Sequence, residues 1–155
     1  MKIGDLIKPQ SIIIGFEAKS KNDALSKLAA EFAKQNSGVD EKKLLKALIE
    51  REQLESTAIG SGIAVPHVDY PEIGQTRGLF AVSNKGIDFG GMDKEPVHFI
   101  FLFVYSGKDV GERVKVLARV ARLLQHKLIH THLLSARKPE QIMEIFIAND
   151  MVSGN

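Results

Sequence analysis

Apolar residues in the first third of the chain form one short continuous run and then two stretches with helical spacing. Residues 11–16 are β-branched and apolar, which predicts a short buried strand. Ser20 opens a capping box, so a helix is expected behind it that stops at residues 36–38, Asn-Ser-Gly. Asp40 predicts the start of a second helix. One face of this second helix carries Leu44, Leu48 and Arg51.

The second half of the chain predicts two more strands and two more helices. Strands are expected at residues 79–83 and 97–104, and the second is apolar almost throughout, as in a central strand covered on both faces. A helix over residues 112–124 follows, and a last helix begins near Pro139, whose missing N–H costs nothing at a helix start. The predicted inward positions are Leu117, Ala121 and Leu124, then Ile142, Ile145 and Phe146, whereas Lys115, Arg119 and Arg122 face outward. This order predicts a single α/β domain over residues 1–150, in which helices pack over one mixed sheet, with a short tail at 151–155.

Composition narrows the possible functions. The 155 residues contain 21 Lys plus Arg and 19 Asp plus Glu, and this net charge of +2 with no basic block gives no reason to expect nucleic acid or lipid as a partner. Cysteine is absent, which excludes thiolate catalysis and fits a reducing compartment. No signal-peptide pattern begins the chain, and the longest apolar run, residues 97–105, is too short to span a bilayer. We therefore expect a cytoplasmic protein without membrane insertion.

The most informative segment leads from the second helix to a histidine. Gly60 and Gly62 allow positive φ angles, which can turn successive N–H groups towards one anion. Pro66 restricts its own backbone and that of Val65, so the backbone of His67 has a stiff neighbour. A neutral imidazole at pH 7 has one nitrogen lone pair available, which suits His67 to the attack on a phosphorus atom.

A phosphorylated His67 would need partners. Its second ring nitrogen must donate a hydrogen bond, for which Asp69 and backbone carbonyl groups are the candidates. The phosphoryl group needs donors, and the expected ones are the loop N–H groups near Gly62, the hydroxyl groups of Ser56 and Thr57, and the guanidinium of Arg51. The alternative is a loop histidine that is merely structural. The glycine pattern matches neither a dinucleotide fingerprint, nor a P-loop, nor a nucleophile elbow.

The full segment nevertheless resembles the active-site segment of the fructose/mannitol-type IIA domains of the bacterial phosphotransferase system. The resemblance extends over nearly the whole chain and is greatest to the stand-alone nitrogen-regulatory IIA branch. It implies a mixed sheet flanked by helices on both sides, no cofactor, and a phosphotransferase component in which His67 accepts phosphate from a histidine-containing phosphocarrier protein. It also implies that Arg51 lines the site. The matching residues are Arg51-Glu52, Glu55-Ser56-Thr57, Ile59-Gly60 and Gly62-Ile63-Ala64-Val65-Pro66-His67.

Two positions depart from the family pattern. Many members have a second histidine near the start of the helix that follows the long strand, and Arg113 occupies that position here. Arg113 can bind phosphate oxygens and lower the pKa of His67, but it cannot exchange a proton, so onward transfer of phosphate can be altered. The alternative is that Arg113 only pairs with a surface carboxylate. Val68 is the second departure, since small residues are usual after the active histidine.

The remaining histidines suggest no site. His126, His130 and His132 lie in a basic stretch with no carboxylate between them, so a solvated surface is a better interpretation than metal binding. His98 alternates within the long strand and is expected to be a hydrogen-bonded core or edge residue.

Three functions therefore remain open. The first is a phosphohistidine carrier that passes phosphate to a IIB domain or signals to a regulatory target protein. The second is a regulatory module that binds proteins with phosphorylation impaired, and the third, more distant, is a metalloenzyme built on the histidine cluster.

Overall fold

A computed structural model of the chain describes residues 2–107 and 110–152. Five α-helices occur in this part of the chain: α1 (Lys21–Gln35), α2 (Glu41–Leu54), α3 (Val110–Leu124), α4 (Lys127–Ser135) and α5 (Pro139–Val152). Both predicted caps are confirmed, because the Ser20 hydroxyl accepts from the N–H of Asp23 and the Asp40 carboxylate accepts from the N–H of Lys43, each at 3.1 Å. These bonds satisfy N–H groups that a helix start leaves open, so α1 and α2 begin where the sequence predicts.

One mixed sheet of six strands forms within the described residues. The strands are β1 (Ile12–Ile14), β2 (Ala58–Gly60), β3 (Ile63–Ala64), β4 (His67–Asp69), β5 (Arg77–Ile87) and β6 (Val97–Tyr105). Their order is β1-β5-β6-β3-β2, and β4 pairs with the carboxyl-terminal end of β6. β5 runs antiparallel to β6, whereas β3 and β4 run parallel to it. The predicted mixed sheet is confirmed.

Side chains of β6 alternate between the two faces of the sheet, and each face carries its own apolar core. Phe99, Phe101 and Phe103 pack with residues of α3, α4 and α5. Ile100, Leu102 and Val104 pack with residues of α1 and α2 on the other face. Each such buried side chain contributes about 1.5 to 3 kcal/mol relative to exposure. Helices therefore cover both faces, which places β6 at the centre of the molecule.

Several elements differ from the prediction. β2, β3 and β4 have only two or three residues each, too few for a recognisable apolar period, so the sequence indicated only a loop there. Helix α4 was also not predicted. Leu124 is buried as predicted, but the earlier turns of α3 are rotated by one residue, since Val116 and Val120 are buried whereas the predicted Leu117 is only partly buried. Packing of α3 against the sheet decides this rotation, which spacing alone leaves open.

The two ends of the described chain are joined through Asp150. Its carboxylate, only 3% exposed, accepts hydrogen bonds from the backbone N–H groups of Ile3 at 3.0 Å and Gly4 at 2.8 Å. Helix α5 continues to Val152, and residues 153–155 of the predicted tail lie outside the described residues. Within the described ranges, no helix has the length and apolar character needed to cross a membrane.

Candidate active site

Strand β4 holds His67 at the carboxyl-terminal end of the central strand. His67 lies opposite Phe103 in the parallel pair, and the carbonyl of Pro66 accepts the N–H of Phe103 at 3.0 Å. Pro66 has no N–H to donate, and it separates β3 from β4. The ring of His67 meets that of Tyr105 edge-on, with 6.3 Å between centroids. The histidine is thus fixed between a rigid backbone and an aromatic neighbour.

The tautomer of His67 follows from its hydrogen bond. Nδ1 lies 2.8 Å from the carbonyl oxygen of Val65, which can only accept, so Nδ1 carries the proton. Within the described part of the chain Nε2 has no hydrogen-bond partner, and its lone pair remains available. Between the two kinds of partner that the sequence left open, the structure therefore selects a backbone carbonyl and not Asp69.

Burial lowers the pKa of His67, and the positive charges of Arg51 and Arg113 lower it further, against the opposing effect of the Val65 hydrogen bond. The unphosphorylated ring is consequently neutral at pH 7. A neutral ring with a free Nε2 is the protonation state that a nitrogen nucleophile requires.

His67 opens into a pocket of about 550 Å³ between α2, β4 and α3. Its walls include Arg51 and Leu54 from α2, Asp69 from β4, Tyr105 from β6 and Arg113 from α3. Leu54 is 84% exposed at the rim, although its side chain is apolar. The pocket thus combines a nucleophilic nitrogen, two guanidinium groups and an apolar edge.

Arg51 reaches this pocket from the last turn of α2. Its Nη1 donates to the carbonyl of Glu55 at 2.9 Å, which closes the end of the helix and limits the motion of the side chain. Among the described residues no carboxylate forms an ion pair with it. Its charge therefore remains available to an anion in the pocket.

Arg113 enters the pocket from the first turns of α3. Its Nη2 forms an ion pair with Asp69, and its guanidinium lies over the Tyr105 ring, 4.8 Å from the centroid. The sequence left open whether Arg113 lies at the site or pairs with a carboxylate, and the structure shows both at once. The carboxylate is two residues from His67, on the same side of β4.

The glycine segment does not contribute to the His67 pocket, contrary to the expectation for Gly62. Gly60, Ser61 and Gly62 form the turn between β2 and β3, with φ angles of 91°, 56° and 77°. The Ser61 N–H donates to the Asp93 carboxylate at 3.3 Å, so an acidic side chain of the protein itself already lies at this turn. Ile63, the first residue of β3, pairs with Phe99 of β6, whereas His67 pairs with Phe103. Four residues of strand therefore separate the turn from His67, which is roughly 13 Å or more.

Ser56 and Thr57 are likewise directed elsewhere. The Ser56 hydroxyl donates to the Phe89 carbonyl at 3.2 Å. Thr57 is 3% exposed, and both its hydroxyl and its N–H donate to the carboxylate of Glu52, which is itself 6% exposed. These bonds hold the connection from α2 to β2 and leave neither hydroxyl in the pocket. The physical reason is that the buried Glu52 carboxylate needs donors nearby.

Sequence reasoning missed Tyr105 and Glu52. Tyr105 follows the predicted end of the long strand by one residue, and its register with Asp69 brings it beside His67. That pairing could not be predicted, because β4 itself was not. Glu52 could have been noticed in the sequence, because it lies beside Arg51 in the segment that resembles the family.

Two of the other four histidines have structural hydrogen bonds. Nδ1 of His98 lies 2.8 Å from the Ser83 carbonyl oxygen, which confirms the expectation of a hydrogen-bonded strand residue. His130 is only partly exposed: its Nε2 bonds to the carbonyl of Leu124 and its ring centroid lies 4.8 Å from that of Phe99, so the expected solvated surface is wrong for this histidine. Over residues 2–107 and 110–152, no group of three or more His, Asp or Glu side chains is placed to hold a metal ion.

Comparisons with known proteins identify the family of this chain. A family model described as "Phosphoenolpyruvate-dependent sugar phosphotransferase system, EIIA 2" matches residues 5–149. The chain belongs to this family. It is therefore a phosphotransferase-system IIA component with a phosphocarrier or regulatory role.

Individual relatives support the assignment. A nitrogen regulatory protein of Bradyrhizobium diazoefficiens is 37% identical over 145 residues, covering 94% of each chain. The crystal structure of nitrogen regulatory protein IIA-Ntr from Neisseria meningitidis matches with a TM-score of 0.87 and 26% identity, over 93% of this chain and 98% of that one. A complex of enzyme IIAMtl with phosphorylated enzyme IIBMtl from Escherichia coli matches with a TM-score of 0.75 over 92% and 97% of the two chains, and at 19% identity it shows the shared fold.

Proposed function

We propose that the protein is a phosphohistidine carrier in which Nε2 of His67 accepts a phosphoryl group from a histidine-containing phosphocarrier protein. The observation that carries the proposal is the free Nε2 of a neutral ring, in a pocket that also contains Arg51 and Arg113. A phosphoryl dianion on this nitrogen would lie near two permanent positive charges, which is the environment that stabilises it.

In the proposed step the Nε2 lone pair attacks the phosphorus atom of the carrier's phosphohistidine. The new N–P bond forms as the carrier's P–N bond breaks, and the electron pair of that bond returns to the carrier's ring. The carrier's ring leaves as a neutral imidazole with a proton on its other nitrogen, and His67 gives up no proton, because its Nδ1 keeps the proton and the bond to the Val65 carbonyl. That carbonyl also stabilises the positive charge which the ring gains when Nε2 is phosphorylated. Arg51 and Arg113 act by electrostatic stabilisation of the transferring group.

The test is a phosphorylation assay with phosphoenolpyruvate, enzyme I and the phosphocarrier. Acid-labile phosphate should appear on the wild-type chain and disappear in His67→Ala. His132→Ala, which changes an exposed histidine, serves as the matched control and should be labelled normally. A wild-type chain that takes no label would instead support the second function, a regulatory module that acts through protein contacts.

Delivery of phosphate is a separate question, because Arg113 stands where many members of the family have a histidine. We propose that a IIB domain or a regulatory target protein is the next partner, by analogy with the IIAMtl complex. In Arg113→His we expect acceptance to continue and the rate of onward transfer to change, since histidine can exchange protons at this pH. Unchanged rates in both directions would contradict a role for Arg113.

A further inference from the structure

Two side chains that line the His67 pocket each have a buried polar atom without a hydrogen-bond partner within the described part of the chain. They are the hydroxyl oxygen of Tyr105 and Nε of Arg113. Burying a polar group without a partner costs free energy, so native proteins leave few such groups. The two atoms belong to side chains in mutual contact, with the Arg113 guanidinium 4.8 Å from the centre of the Tyr105 ring.

The chemistry of these atoms indicates what is missing. The arginine Nε–H can only donate, and a tyrosine hydroxyl beside a guanidinium finds no acceptor there. Both groups therefore need an acceptor, and both belong to side chains that line the pocket of His67. An oxygen-rich anion bound at His67 supplies several acceptors at once.

We propose that Tyr105 is a further catalytic residue, whose hydroxyl donates a hydrogen bond to the phosphoryl group transferred to His67. The inference rests on the proposed function and adds to it a neutral donor that neither the sequence nor the family resemblance indicated. Tyr105 is well placed for this role, because it is only 3% exposed and its ring meets that of His67 edge-on. Burial also raises the pKa of Tyr105, so the hydroxyl keeps its proton at physiological pH.

Access to the hydroxyl requires only a side-chain movement. Arg113 lies on the Tyr105 ring and is held by Asp69, whose side chain is 50% exposed. Arg113 itself is 22% exposed, but water competes for the half-exposed Asp69 carboxylate, so the guanidinium can turn from Asp69 towards the more highly charged phosphoryl group. In doing so it would uncover the Tyr105 hydroxyl and bring its own Nε–H towards the same anion.

Tyr105→Phe removes only the hydroxyl oxygen, and the chain provides a matched control. The chain has one other tyrosine, Tyr70, which is also buried. Its hydroxyl accepts a hydrogen bond from the N–H of Asp40 at 3.0 Å and lies outside the pocket. In Tyr105→Phe we expect phosphorylation of His67 to slow by about 10- to 100-fold, as for loss of one hydrogen bond to a charged group. Its Tm should be unchanged or higher, because no bond within the protein is lost. Tyr70→Phe should show the opposite pattern, with a lower Tm and an unchanged rate.

Phosphoramidate, a small donor that releases ammonia as its P–N bond breaks, separates the site from carrier docking. The same slowing of Tyr105→Phe with both donors supports the proposal. Slowing with the carrier alone, an unchanged rate with both donors, or a lower Tm in Tyr105→Phe would each overturn it. A wild-type chain that neither donor phosphorylates would contradict the proposed function itself, whereas a labelled wild type with an equally fast Tyr105→Phe contradicts only the role of Tyr105.

Discussion

Arg113 of α3 and Asp69 of β4 form an ion pair across 44 positions of the sequence, and the pair lies beside His67. The carboxylate therefore occupies one N–H edge of a guanidinium that a phosphoryl group on His67 would also attract. In the unphosphorylated protein, Asp69 neutralises Arg113. A phosphoryl group on His67 therefore has to compete with the Asp69 carboxylate for this guanidinium.

Asp69→Asn should consequently favour the phosphorylated state. Removing the carboxylate frees Arg113 and eliminates repulsion of the phosphoryl dianion, so we expect the phosphotransfer equilibrium to shift towards this protein by roughly two- to fivefold. The equilibrium is measured by mixing the phosphorylated carrier with the variant and quantifying both phosphoproteins. Glu72→Gln is the control, because it breaks the exposed ion pair with Lys43 outside the pocket. An equilibrium shifted towards the phosphorylated carrier would instead show that Asp69 stabilises the phosphorylated state of this protein.

The pH dependence of phosphorylation should follow the neutral fraction of His67. The pKa of the folded ring lies below the usual value of about 6.5, so the rate should hold at pH 7 and fall only as the pH drops through the lowered pKa. Arg51→Gln removes one of the charges that lower this pKa, and should move the fall in rate to higher pH. NMR titration of the His67 ring protons measures the pKa directly. A lower His67 pKa in Arg51→Gln than in the wild type would contradict the effect assigned to Arg51.

The same pKa has a consequence for stability. Because the folded state disfavours the protonated ring, the contribution of His67 is present above pH 6.5 or so and is lost as the pH falls through that value towards the folded pKa. Urea unfolding of wild type and His67→Gln over this pH range should show the smaller pH dependence in the variant.

Thr57→Val tests the placement of Thr57 away from the pocket. The variant keeps the shape of the side chain but removes a donor from the buried carboxylate of Glu52, so the free energy of unfolding should fall by about 1 to 3 kcal/mol. Phosphorylation of His67 should be unchanged at a temperature where the variant is folded. Thr131→Val, at an exposed position, is the control for stability. If Thr57→Val slowed phosphorylation of His67 without lowering the free energy of unfolding, Thr57 would instead belong to the phosphate site.

Asp150→Ala tests the link between the two ends of the chain. It leaves the N–H groups of Ile3 and Gly4 without their acceptor, and we expect a loss of about 2 to 4 kcal/mol in urea denaturation. Glu144→Ala, on the exposed face of the same helix, should change stability by less than about 0.5 kcal/mol. A similar small loss in both variants would show that the carboxylate is dispensable.

The sequence by itself determined the central strand, the capped starts of α1 and α2 and the candidate role of His67. These features are local, because a cap, an apolar period and a histidine after proline are all visible within a few residues. The segment around His67 also pointed to the family to which the chain belongs.

Only the tertiary structure decided which groups share the pocket with His67. Gly62, Ser56 and Thr57 are close to it in sequence, but the extended path of β3 and β4 and the buried carboxylate of Glu52 direct them elsewhere. Tyr105 and Asp69 meet through strand pairing, and Arg113 reaches them from a helix packed on the sheet. Such contacts join residues distant in sequence, and their free energy comes from packing and pairing that no local pattern records.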